Sequence, residues 1–68
     1  MLKIKTNWGS WQHFWGVSPL PAGAKAICVI ASDNDIGALL LLNNGVYVQG
    51  NHGCIKQLNQ DDVLAALA

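Results

Sequence analysis

Apolar and polar positions alternate at the start of the chain, where Leu2-Lys3-Ile4-Lys5-Thr6 has the two-residue period of a half-buried strand with its lysines in water. Turn chemistry follows in Asn7-Trp8-Gly9-Ser10. Ser10 can then cap a short helix over Trp11-Gln12-His13-Phe14-Trp15 that Gly16 ends, the alternative being an aromatic-rich loop. Residues 17–23 hold both prolines and read as a surface connector. Ala26-Ile27-Cys28-Val29-Ile30-Ala31 is apolar on both sides of its period, the pattern of a central strand covered on two faces, and Ser32-Asp33-Asn34-Asp35 turns the chain.

The strongest local signal is Asn44-Gly45, set between a leucine-rich run over residues 37–43 and a second strand over residues 46–50. Asn-Gly suits the two positive φ angles of a type I′ hairpin turn. With those two residues as the loop, Asn43 faces Val46, Leu42 faces Tyr47, Leu41 faces Val48 and Leu40 faces Gln49. A second hairpin turning at Asn51-His52 sets Ile55 opposite Val48 and Lys56 opposite Tyr47. Strand alternation then puts Leu39, Leu41, Val46, Val48 and Ile55 on one face, and Leu40, Leu42, Tyr47, Gln49, Cys54, Lys56 and Leu58 on the other. Both sets carry too much leucine to face water. The last ten residues read as a short helix: Asn59 is a good N-cap, Asp61 and Asp62 suit the positive end of the helix dipole, and Val63, Leu64 and Leu67 share the face expected to pack on the sheet.

These elements predict one α+β domain over residues 1–68: a small, mostly antiparallel sheet of four or five strands with a short C-terminal helix on one face. The aromatic segment covers an edge or the other face. The competing architecture is a small β-barrel with the helix as an appendage.

Composition changes the picture in one respect. Charged residues make up 12% of the chain and apolar residues 51%, whereas a self-sufficient small surface carries about 25–35% charge. The shortfall predicts an apolar face hidden in a homodimer or larger assembly, and Leu40, Leu42 and Tyr47 are the candidate oligomer face. Net charge is zero on four lysines and four aspartates, with no arginine, so a phosphate-binding footprint is missing and nucleic acid is an unexpected partner. The longest apolar runs, residues 26–31 and 63–68, are far short of the roughly 20 residues of a membrane span. The first residues lack the pattern of a secretory signal, and the expected compartment is the cytoplasm.

Three tryptophans fall within eight residues. Trp8, Trp11 and Trp15, with His13 among them, form a candidate partner or ligand surface, because tryptophan dominates interface hot spots. The competing assignment is core, since each ring buries on the order of 200 Å². Cys28, Cys54, His13 and His52 are numerically enough for zinc but lack the close paired spacings of metal frameworks, so no metal or cofactor is expected. Cys28 and Cys54 could be joined only if their strands were neighbours. Asp33-Asn34-Asp35 starts like a calcium loop, yet the chain has no glutamate to close one. With no phosphate loop, nucleophile elbow or paired histidines, no enzymatic activity is expected.

Residues 46–55 resemble a hairpin of the tryptophan-activated RNA-binding attenuation proteins, rings of small β-rich subunits, but without that family's basic RNA-contacting residues. The expected function is a non-enzymatic protein–protein interaction module, of the kind a phage or mobile element uses to bind and block a larger host protein. The alternative is a small-ligand or nucleotide-binding module that stacks its ligand on the tryptophans.

Overall fold

The computed structural model describes residues 2–68. Five strands run β1 (Leu2–Ile4), β2 (Lys25–Ser32), β3 (Asp35–Leu41), β4 (Tyr47–Asn51) and β5 (Cys54–Gln57), with α1 (Trp11–Trp15) between β1 and β2 and α2 (Gln60–Leu67) at the end. They form one antiparallel sheet in sequence order, β1-β2-β3-β4-β5, so β1 and β5 are its two edges and the sheet does not close into a barrel. The α+β expectation with its C-terminal helix therefore holds, and the barrel alternative does not.

Each helix covers one face. α1 forms where Ser10, in extended conformation, accepts a side-chain bond from the Gln12 amide at 3.2 Å, and it stops where Gly16 returns its N–H to the Gln12 carbonyl at 2.9 Å. Five residues make no stable helix by themselves; this one is held by Trp15, which packs with Ala38, Leu40 and Val48 and is only 3% exposed. The Trp15 indole N–H donates to the Ser18 carbonyl at 2.6 Å, so the buried ring leaves no polar atom unmatched. Gly50 makes this packing possible: a Cβ there would lie 2.6 Å from the six-membered ring of Trp15.

The opposite face is buried by α2 and the residue before its cap. Leu58 and Val63 pack on Ile30 and Leu39, with Leu2, Ile4, Cys28 and Tyr47 around them. Asn59 caps α2 by accepting bonds from the amides of Asp61 and Asp62 at 2.9 and 3.2 Å. Of the three residues expected to dock this helix, only Val63 is buried; Leu64 and Leu67 are exposed. The cause lies in Gln60, whose carboxamide is tied to β4 and fixes the rotation of the first turn. Its Oε1 accepts from the Tyr47 N–H at 2.9 Å and its Nε2 donates to the Tyr47 carbonyl at 3.0 Å. Leu64, one residue past Val63, is thereby carried about 100° around the helix, away from the sheet.

The register of the central hairpin differs from expectation by one residue. Leu41 pairs with Tyr47, Leu40 with Val48 and Leu39 with Gln49. The loop is Asn43-Asn44-Gly45, closed by the Leu42 amide on the Val46 carbonyl and the Gly45 amide on the Leu42 carbonyl. Only Gly45, at φ 87°, takes the left-handed conformation. This is the three-residue turn with a glycine bulge, and not the two-residue type I′ turn that Asn-Gly suggests. A one-residue slip moves every partner to the other face, so Leu40 lies under Trp15 on the α1 side while Tyr47 lies on the α2 side. At the next turn the two-residue loop is His52-Gly53, both with positive φ, and Ile55 pairs with Gly50 and Lys56 with Gln49. That shift of two keeps Ile55 on the face of Val48, as expected.

Candidate interaction surface

The four residues of the tryptophan-rich candidate surface are not brought together as a binding platform. Trp15 is core, and Trp11 is half-buried against the same cluster. Trp8 is 48% exposed, with the Lys5 ammonium 5.7 Å from its ring centre. His13 is exposed and meets the edge of Phe14, ring centres 5.2 Å apart and planes at 86°. Three clefts, of about 190, 310 and 350 Å³, border α2 and the central hairpin loop, and no tryptophan lines them. The candidate oligomer face is divided as well: Leu40 is fully buried, Leu42 is half-buried beside it, and Tyr47 is on the other side of the sheet. The slipped register separates them.

The thiols are equally far apart. Cys28 on β2 and Cys54 on β5 are free, and β3 and β4 lie between their strands. Cys28 is level with Lys56 through the register, two residues along β5 from Cys54, so three inter-strand steps of about 4.8 Å put the two thiols at least roughly 14 Å apart, twice the reach of a disulfide. Burial pushes the Cys28 thiol above its usual range, which suits a neutral side chain in the α2-side core. Among the described residues no group of three or more His, Cys, Asp or Glu could hold a metal ion, and no helix is long and apolar enough to cross a membrane.

What both helices leave uncovered is the outer edge of β5, every residue of which is exposed. Hydrogen bonding alternates along an antiparallel pair. The Leu42–Val46 bond at the mouth of the central hairpin, read on through the register, assigns Val46, Val48 and Gly50 to bonding with β3. Tyr47, Gln49 and Asn51 therefore turn their backbone groups toward β5, where Asn51 pairs with Cys54 and Gln49 with Lys56. The next partner in that series would be Leu58 on Tyr47. The chain has already left the sheet by then, and the Gln60 side-chain amide stands in for the missing peptide group. By elimination, the N–H and C=O groups of Ile55 and Gln57 point outward from the sheet.

The side chains at this edge complete the surface. Ile55 is 49% exposed on the α1 side. Val17, fully exposed, lies in a segment that runs along the β4–β5 turn: the His52 amide donates to the Phe14 carbonyl at 2.9 Å, and the Ser18 hydroxyl stands 3.1 Å from where a Cβ on Gly53 would be. On the α2 side, Lys56 is drawn across β4 onto Asp35 of β3, Nζ to Oδ2 3.1 Å. The opposite edge is different. β1 is three residues long with Lys3 at its centre and Lys5 directly after it, and lysines on an edge strand discourage pairing with another chain. Placing the second turn at Asn51-His52 hid the outward role of Ile55 and Gln57. Gly53 directly after His52 was the signal for the correct turn, since a type I′ loop needs positive φ at both positions.

No family model, curated protein or solved structure matches the chain. The resemblance over residues 46–55 is accordingly a local one, carried by the β4–turn–β5 hairpin.

Proposed function

We propose that this protein is a non-enzymatic interaction module that acts in the cytoplasm by associating with other polypeptide chains, its own copies first. The observation that carries this reading is the set of large apolar side chains left outside after both sheet faces are covered: Trp8, Val17, Ile27, Ile55, Leu64 and Leu67. Single exposed apolar residues are ordinary on a protein surface. Six among the described residues of a chain with only eight charged residues leave little to oppose association, because scattered charge is what keeps small surfaces apart. The cytoplasmic setting is supported by the two unpaired cysteines, which an oxidising compartment tends to join or block.

The test is absolute mass by light scattering and sedimentation over about a hundredfold concentration range reaching roughly 1 mM, where a dissociation constant equals about −4 kcal/mol of binding free energy. A mass that rises with concentration supports the reading. A strictly monomeric species throughout, with Trp8 fluorescence unchanged, overturns it.

A further inference from the structure

We propose that the outer edge of β5 pairs antiparallel with the same edge of a second copy of this chain, about a two-fold axis through Lys56, so that two sheets become one. This rests on the interaction reading above and names its surface and its partner.

The backbone is self-complementary at this edge. Outward-facing groups belong to Ile55 and Gln57, two residues apart with Lys56 between them. A two-fold axis through Lys56 places Ile55 of each chain opposite Gln57 of the other. Each such pair exchanges two N–H to C=O bonds, and all the free groups of the strand are used. On the α1 side the two Ile55 side chains then meet on the diagonal, within reach of one another across the junction, and 49% exposure in the single chain leaves them area to bury.

Charge decides whether such a junction can close. The axis brings two Lys56 residues directly opposite, and like charges in that position are destabilising. Each lysine, however, arrives already matched by Asp35 of its own chain at 3.1 Å, so two neutral ion pairs meet. The other edge has no equivalent, since no carboxylate contact accompanies Lys3 or Lys5 among the described ion pairs. A junction of two four-residue strands is smaller than the roughly 1,200–2,000 Å² of a standard stable interface, which makes this a weak, concentration-dependent dimer.

Ile55→Pro is the decisive variant. Proline removes the outward N–H of residue 55 together with the isoleucine side chain, both of which the junction uses, and leaves untouched the ladder to β4 made by Cys54 and Lys56; an edge strand tolerates proline at such a site. The expected result is an unchanged far-UV spectrum and buried Trp15 emission with at least a tenfold loss of dimer affinity. Asp35→Asn should also weaken the dimer, by leaving two unmatched lysines face to face, and added salt should restore it by screening them. Independently of any variant, the amide signals of Ile55 and Gln57 in the unaltered protein should shift with concentration while those of Leu2 and Ile4 stay fixed. If the protein dimerises but Ile55→Pro is without effect, or the concentration-dependent signals lie elsewhere, strand pairing is wrong and the interaction reading survives on another surface. If the unaltered protein never associates, both fall.

Discussion

Gly50→Ala is the smallest change with a large expected effect. The added Cβ would stand 2.6 and 2.7 Å from two carbons of the Trp15 ring and 2.9 Å from a methyl of Leu40, all well inside van der Waals contact. Neither neighbour is the loose end of a flexible chain: the indole is anchored at Ser18 through its N–H, and Leu40 is fully buried. Overpacking of this kind costs about 1–3 kcal/mol. Three contacts under 3.0 Å put the strain in the upper half of that range, about 2–3 kcal/mol. Alanine in a strand recovers roughly 0.5–1 kcal/mol through the entropy glycine loses on folding, so strain wins, and the net destabilisation is about 1–2.5 kcal/mol. For a domain of this size that is a fall of roughly 4–20 °C in melting temperature. Urea titration followed by tryptophan emission measures it, and the same titration in a Trp15→Leu background isolates the cause. Leucine vacates the space above residue 50, so in that background Gly50→Ala should be neutral or stabilising. An equal cost in both backgrounds, or a stabilised Gly50→Ala in the otherwise unaltered protein, would refute the account of Trp15 packing. Trp15→Ala is the poorer control, since a loss of about 3–5 kcal/mol approaches the whole stability of a small domain.

Two further outcomes follow from the same contacts. Gln60→Ala removes both bonds to Tyr47 and leaves a partly buried N–H and C=O without partners, so it should cost about 1–3 kcal/mol in urea unfolding; a change below a few tenths would show that water replaces the amide freely. Thiol labelling of the folded protein at mildly alkaline pH should modify exposed Cys54 first and Cys28 slowly, because Cys28 is partly covered and burial raises its pKa, which keeps it protonated. Unfolding in denaturant should equalise the two rates, and equal rates in the folded state would contradict the packing of β2.

Most of the elements were legible in the sequence because each has its own punctuation. Ser10 and Gly16 bracket α1, Asn59 caps α2, and the Asp33-Asn34 turn separates β2 from β3. The register between β3 and β4 was not legible. Asn-Gly supports a two-residue loop or the last two positions of a three-residue one, and the choice normally falls to the alternation of the flanking strands. Here residues 38–42 are apolar on both faces, since both faces of the sheet are covered, so alternation had nothing to say. The candidate oligomer face of Leu40, Leu42 and Tyr47 inherited that error. The docking of α2 was misplaced for a different reason: helical periodicity weighs Leu64 and Leu67 as core, whereas one polar residue, Gln60, sets the angle of the helix through backbone groups that periodicity does not see. The burial of Trp15 turned on Gly50, thirty-five positions away in the chain, a pairing that emerges only once β4 is in place.

The carboxamide of Gln60 also joins two events that would otherwise be separable. α2 cannot lift from the sheet without uncovering the Tyr47 amide, and no other group replaces that bond. Exchange of this one amide proton with solvent thus keeps time for the opening of the whole C-terminal segment, while the amides of Leu39 and Leu40, deep in the central ladder, wait for global unfolding. A slow Tyr47 amide means that the helix opens only with the rest of the molecule; a fast one means that α2 breathes on its own, and with it the ground on which Leu64 and Leu67 are displayed.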